Sequence, residues 1–344
     1  MHEELRTIRI KTKDLNAYIK TKNSWKKTKI SESTQKVISL FKIHHKIKEL
    51  IDKKDPRFLK GMIKDNKCMG ARLNILPNGI KLNQAYSLFA KNLTIHDESS
   101  HDHWDVIYQN PNGKFAYIYT LEKKIKSKNI KYKKVKEFEK VFPKLQEQVK
   151  KALSNKKDIL ALPMFTLLNT YMRVGNEIYY KEHHHKGLTT LKKKDIKINK
   201  NNVIFNYIAK DGVPMIISKD FPELYILRLK DQLKKLNSKS FIFTDAKGNP
   251  LKETHFKEAF KRYCGKEFYP HIVRSYYATK SIENFLKNKP NKLELKEKLQ
   301  KIAKDLGHKK FSKKHHEWEN SYTTTLSHYI EPKLAERVKE FIKK

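Results

Sequence analysis

The stretch YMRVGNEIYYKEHHHKGLTTLKKKDIKI, residues 171–198, decides how this chain is read. It continues the apolar run DILALPMFTLLNT, and together residues 158–180 predict one well-buried helix. From Gly187 the pattern changes. GLTTLKKKDIKINKNNVIFNYIAKDGVPMIIS alternates short apolar runs with Asn, Lys and Gly, which predicts a small antiparallel sheet. Two features inside the stretch carry little. His183, His184 and His185 are consecutive and point in different directions, and no further cluster of Cys, Asp or Glu shows ligand spacing, so no metal is expected. Gly175 and Gly187 form no GxxxxGK phosphate cradle, so no nucleotide is expected either.

Working outward, residues 102–120, DHWDVIYQNPNGKFAYIYT, alternate around the turn formers Asn110, Pro111, Asn112 and Gly113 and predict a β-hairpin. The residues before it mix short basic segments with the LPNGI turn and suit a small domain of strands and short helices. The densest basic run, KKIKSKNIKYKKVK at 123–136, reads as a linker between two halves, either solvated or facing a nucleic-acid backbone. Apolar residues at intervals of three and four predict a helix over 131–153, with Pro143 as a break, and from about Pro222 the periodicity is again helical.

Charge sets the partner class. Lys and Arg number 76 against 37 Asp and Glu, a formal net charge of +39. A field of that sign attracts polyanions, and lysines turn counterion release into nucleic-acid affinity, although a Lys-rich composition also follows from an AT-rich genome. A chain of 344 residues, 38% hydrophobic, suffices for two domains with real cores. No apolar run approaches a membrane span, and the N-terminal residues lack a signal-peptide core, so the protein is expected to stay where it is made. Cys68 and Cys264 have no CxxC or finger spacing and read as packing residues or free thiols.

Arg173-x-Gly175-Asn176-Glu177-x-Tyr179 leading into Gly187-Leu-Thr-Thr-Leu191 resembles the pattern of type IB DNA topoisomerases. The resemblance implies that Arg173 is the first active-site arginine, at the end of a helix. NYIAKDGVPMII resembles the hairpin on which that family carries its catalytic lysine, and Lys210 inherits the role. FYPHIVRSYYATKSI resembles the His-x-x-Arg helix of tyrosine recombinases and the Lys-x-x-Arg helix of the topoisomerases, making Arg274 the second arginine; His271 takes the recombinase form and is expected to contact DNA. DLGHKK is similar to the Leu-Gly-His motif of both families and implies that His308 donates to a phosphate oxygen.

Where the family usually places its tyrosine after this histidine, the chain has Glu317, and the intervening KKFSKKHHEWENS reads as an inserted basic loop that would touch DNA through Lys309, Lys310, Lys313 and Lys314. TTTLSHYIEP resembles the Thr-x-x-x-Tyr-Ile-x-Pro ending of bacterial type IB enzymes and many integrases, which selects Tyr329 over Tyr322 as nucleophile. Upstream, the 102–120 hairpin resembles the one that closes the family's N-terminal domain, and Tyr117 and Tyr119 then stand where the family contacts DNA; Lys114, Phe115 and Ala116 depart from its polar run.

The resemblance implies an α+β protein: a small mixed N-terminal DNA-clamp domain, 1–122, and a mainly helical catalytic domain with a small antiparallel sheet, 123–344. It implies a monomer closing on double-stranded DNA, with no cofactor, metal or ATP. Its setting would be cytoplasm or nucleoid, or a virion if the source is viral. Two other readings are a tyrosine recombinase using the same residues and a non-catalytic chromosome-binding protein.

Overall fold

A computed structural model describes residues 5–96, 103–111, 113–312 and 314–343. Asp102 and Asn112 of the expected hairpin and Lys313 of the expected loop lie outside them. The chain divides into two compact units, Met1–Ile130 and Lys131–Lys344.

In the first unit, β1 (Ile8–Ile10), β2 (Ala17–Lys20), β3 (Trp25–Thr28), β4 (Met62–Lys64) and β5 (Lys67–Met69) form an antiparallel sheet in the order β3-β2-β1-β4-β5. Helix α1 (Glu32–Ile43) starts at Ser31, whose hydroxyl accepts the Thr34 amide, and buries Val37, Ile38 and Phe41. The rest is β6 (Leu73–Ile75) paired with β7 (Lys81–Tyr86), then β8 (Lys91–Ile95), β9 (Val106–Gln109) and β10 (Phe115–Ile118) in one three-stranded sheet. β9 and β10 are the expected hairpin, with Tyr117 opposite Ile107. Buried Arg9 is neutralised by Asp52 at 2.9 Å, and Asp52 also receives Arg72.

The basic run 123–136 is the first part of one continuous helix, α2 (Leu121–Ala152), and the division between the two units falls inside it. It contains no glycine, its lysines are good helix formers, and Tyr132, Val135, Phe138, Leu145 and Val149 repeat on one buried face. Pro143 lies inside this helix instead of ending it. On that face Phe138 packs against Phe142, Phe260, Phe268 and Tyr276.

The single helix expected over 158–180 is two, α3 (Ala161–Thr170) and α4 (Glu177–His183). Tyr171 takes a left-handed conformation that ends α3, and Asn176 accepts the Ile178 and Tyr179 amides to start α4. Arg173 therefore lies in the link between helices, not at a helix end. The expected sheet follows as β11 (Ile196–Asn199), β12 (Asn202–Ile208) and β13 (Pro214–Asp220), antiparallel in sequence order.

Helices α5 (Glu223–Lys234), α6 (Glu253–Cys264), α7 (Ile272–Leu286) and α8 (Lys292–Asp305) come next, the last capped reciprocally by Asn291 and Glu294. The segment read as a loop is a second correction: β14 (Lys309–Ser312) and β15 (Glu317–Asn320) form a hairpin. Lys310 faces Glu319 and Phe311 faces Trp318, so opposite charges and an aromatic pair fix its register. Short α9 (Thr323–His328) and α10 (Pro332–Lys343) close the chain. Leu295, Leu299, Ile302, Leu326, Ile330 and Val338 form a core that includes Tyr329. No helix of the described residues is long and apolar enough to cross a membrane.

Candidate active site

Arg173 is placed by a crossing of two backbones. The Leu188 amide donates to the Arg173 carbonyl at 2.8 Å and the Thr189 amide to that of Val174 at 2.7 Å. The crossing leaves no room at Gly187, where a Cβ would stand 2.6 Å from the Arg173 carbonyl and from the Gly175 backbone. The spacing from Gly175 to Gly187 thus has a steric cause, and its product is a half-buried guanidinium whose Nη2 donates to the Tyr329 hydroxyl at 3.1 Å.

Arg274 sits in the first turn of α7 and is 2% exposed. Its Nη1 donates to the Tyr171 carbonyl, and its Nη2 to that of Leu306 at 2.7 Å. Nη2 also lies 3.3 Å from Nε2 of His308, and the guanidinium carbon stands 5.3 Å from the Tyr329 ring centre. Burial pulls its pKa down to about 10, which leaves it charged near neutrality.

His308 follows Gly307, whose left-handed backbone lets the chain pass Met215; a Cβ there would meet the thioether sulfur at 2.6 Å. The ring is held by the Thr325 hydroxyl, 2.7 Å from Nδ1. An arginine nitrogen only donates, so Nε2 accepts from Arg274 and the ring proton sits on Nδ1, donated to Thr325. Burial, then Arg274 and Arg173, lower the His308 pKa to about 3, in keeping with that neutral tautomer. His271 is lowered to about 3 for the same reasons, and its ring centre lies 5.1 Å from that of Tyr329.

Tyr329 is 4% exposed at the end of α9. Its amide donates to Thr325 at 2.9 Å and its carbonyl accepts from Thr279 at 3.2 Å. The Lys131 ammonium, bonded to the His328 carbonyl, lies 5.2 Å from its ring centre. Tyr322 packs at the edge of the C-terminal core. Lys210 is exposed on the turn between β12 and β13, and Arg173, Lys210, Arg274 and His308 line one cavity of about 170 Å³.

The other expected residues divide. Lys309 lines the same cavity but is tied to the Pro214 carbonyl at 2.9 Å; Lys310 is exposed on β14. Tyr117 and Tyr119 belong to the first unit, Tyr117 exposed and Tyr119 held by Asn83, whose side-chain oxygen accepts the Tyr119 amide and whose own amide donates to the Tyr119 carbonyl. Sequence reading missed Thr325, Thr279 and Lys131. Thr325 had a faint signal, standing one helical turn before Tyr329 on the same face. The sequence also showed no second ligand cluster, whereas the inserted hairpin brings ligand atoms of exposed His315, Glu317 and Glu319 within 4.8 Å of one another.

Fold and site define a class: a mainly helical unit with a small antiparallel sheet, in which a buried phenol packs against two arginines and a histidine that line one cavity. Residues 121–340 match the family described as Eukaryotic DNA topoisomerase I, catalytic core, and the chain belongs to that family. A DNA topoisomerase 1B of Acanthamoeba polyphaga mimivirus is 30% identical over 127 residues, which is 35% of this chain and 37% of that protein. Two solved structures of the XerH site-specific recombinase are also similar. The pre-cleavage complex with difH substrate is 16% identical over 58% of this chain and 50% of its own, with a TM-score of 0.37. The post-cleavage complex with palindromic difH is 16% identical over 60% and 52%, with a TM-score of 0.37.

Proposed function

We propose that the chain is a type IB DNA topoisomerase that relaxes supercoiled duplex DNA through a transient 3′-phosphotyrosyl link. The observation that carries the reading is the Arg173 contact to the Tyr329 hydroxyl, with Arg274 and His308 against the same phenol. In this reading the Tyr329 oxygen attacks a backbone phosphorus and loses its proton to solvent, while the bond to the 5′ oxygen breaks. Lys210 protonates that oxygen and is itself reprotonated from solvent. Arg173 and Arg274 take the charge that grows on the non-bridging oxygens, which fixed guanidinium donors do without reorganising.

His308 begins as an acceptor at Nε2. A bound phosphate dianion-like centre raises the ring's affinity for a proton, and Nε2 then donates to a phosphate oxygen. Because the covalent link keeps the phosphodiester energy, the 5′ hydroxyl reverses the attack once the free end has rotated, and the cycle needs no ATP. The first unit would complete a clamp on the duplex, with Tyr117 and Tyr119 among its DNA contacts, and His271, Lys309 and Lys310 contributing from the second. The protein would act as a monomer.

The test is relaxation of a supercoiled plasmid by purified protein in EDTA without ATP, together with isolation of the protein–DNA adduct. Relaxation with a Tyr329-linked peptide is expected. A protein that binds DNA but forms no adduct would overturn the reading. His271 in the position of the topoisomerase lysine favours one rival, a tyrosine recombinase; strand exchange only between paired specific sites, with no relaxation, would identify it.

A further inference from the structure

We propose that Tyr207 is a further catalytic residue whose hydroxyl donates a hydrogen bond to a non-bridging oxygen of the scissile phosphate; this rests on the topoisomerase reading above. Tyr207 lies on β12, where Val203, Phe205 and Tyr207 alternate onto the buried face. It is 6% exposed and lines the cavity shared by Arg173, Lys210, Arg274 and His308.

Its hydroxyl is an exception among the buried tyrosines. Tyr225 bonds Thr166, Tyr263 bonds Asp158, Tyr132 bonds the His328 carbonyl and Tyr86 the Ile75 carbonyl. Tyr207 has no hydrogen-bond partner among the described residues, and it is not one of the polar groups sealed away from solvent without one. A hydroxyl that borders a cavity and is not engaged by the protein is free to donate to whatever occupies that cavity. The walls state what kind. Arg173, Arg274, Lys186, Lys210 and Lys309 line the space against two carboxylates, Asp211 and Asp305, and the nearby Arg173 and Arg274 act electrostatically on this phenol. The surplus of cations favours an anionic oxygen as the acceptor.

The chemistry of the group suits donation. Burial pushes the Tyr207 pKa up to about 12 against the pull of the two arginines, so the proton stays in place at neutral pH. It adds a donor without adding charge to a site already crowded with cations. It is paired with Met215 in the β12–β13 ladder, one residue before the end of β12, so its backbone is fixed by the sheet, as a preorganised donor requires.

The test uses full-length Tyr207→Phe, which keeps the ring and its packing. Single-turnover cleavage of a nicked suicide duplex is measured at saturating protein, with affinity and melting temperature alongside. A rate loss of roughly 10- to 100-fold is expected, with affinity and melting temperature nearly unchanged. Repeating it on duplexes carrying a stereopure methylphosphonate at the scissile position removes one non-bridging oxygen at a time. For one diastereomer the Phe variant should lose nothing further relative to the parent. Equal losses on both diastereomers and on natural DNA would make the role structural and overturn the proposal, as would a variant that cleaves as fast as the parent. If the parent forms no adduct, both readings fall; if it does and Tyr207→Phe keeps pace, only this one falls.

Discussion

Nη2 of Arg173 and the hydroxyl of Tyr329 are 3.1 Å apart although 156 positions separate them in the chain. Each is held from behind: Arg173 by the backbone crossing at Leu188, Tyr329 by Thr325 and Thr279. The contact therefore joins two preset supports. Arg173→Ala should lower single-turnover adduct formation by roughly 100-fold or more, and Arg173→Lys should recover little, because an ammonium cannot reproduce the planar fork. Recovery by lysine to within a few-fold of the parent would show that charge alone matters.

The two candidate nucleophiles differ in surroundings more than in sequence context. Tyr329 lies among Arg173, Arg274, His308 and His271, while Tyr322 packs at the margin of the C-terminal core. Tyr329→Phe should abolish the covalent adduct and leave DNA binding intact. Tyr322→Phe should still form it. Peptide mapping of the adduct decides, and a DNA-linked Tyr322 peptide would reverse the assignment.

A methyl group at position 187 should damage the site without touching it. At 2.6 Å from the Arg173 carbonyl and the Gly175 backbone, a Cβ forces apart the two strands whose crossing aims Arg173. Gly187→Ala should cost on the order of 1–3 kcal/mol of stability and reduce cleavage more than DNA affinity. Calorimetry and single-turnover kinetics measure the two effects; an unchanged melting temperature would contradict the crowding.

The two site histidines make stability depend on pH in a stated direction. Folding lowers the pKa of His308 and of His271 to about 3, from an ordinary value near 6.5. Between those values the unfolded chain binds protons that the folded chain refuses, so stability rises with pH across the window and is lost as pH falls from about 6.5 toward 3. Without DNA, the melting temperature should drop on acidification, and His308→Gln should reduce that slope. A slope unchanged in the variant would show that His308 does not titrate in this way.

Much of the arrangement was written in local pattern. The alternation over 187–218 specified the three-stranded sheet, and the turn formers at 110–113 specified the β9–β10 hairpin, because strand faces and turn backbones are set by near neighbours. The readings that failed were those in which distant packing outweighs local cues. Lysine density at 123–136 hid a helix, since the apolar residues interleaved with it find a core on α2. The apolar run ahead of Tyr171 suggested a helix continuing to 180, but Leu188 and Thr189 pair with the backbone of Arg173 and Val174. The inserted segment lacked turn signals strong enough to announce a hairpin, and Phe311 with Trp318 supplies the pairing.

By itself, then, the amino-acid order determined a basic, two-part α+β chain, the residue types able to grip an anion, and which tyrosine to favour. Local periodicity and composition are enough for that, since they act over a few residues. Only the tertiary structure decided that Arg173, Lys210, Arg274 and His308 share one cavity, that Tyr329 abuts them, and that Thr325 and Tyr207 belong there too. Convergence of groups from five separate segments depends on how helices, sheet and backbone crossings pack against one another, and no spacing along the chain encodes those distances.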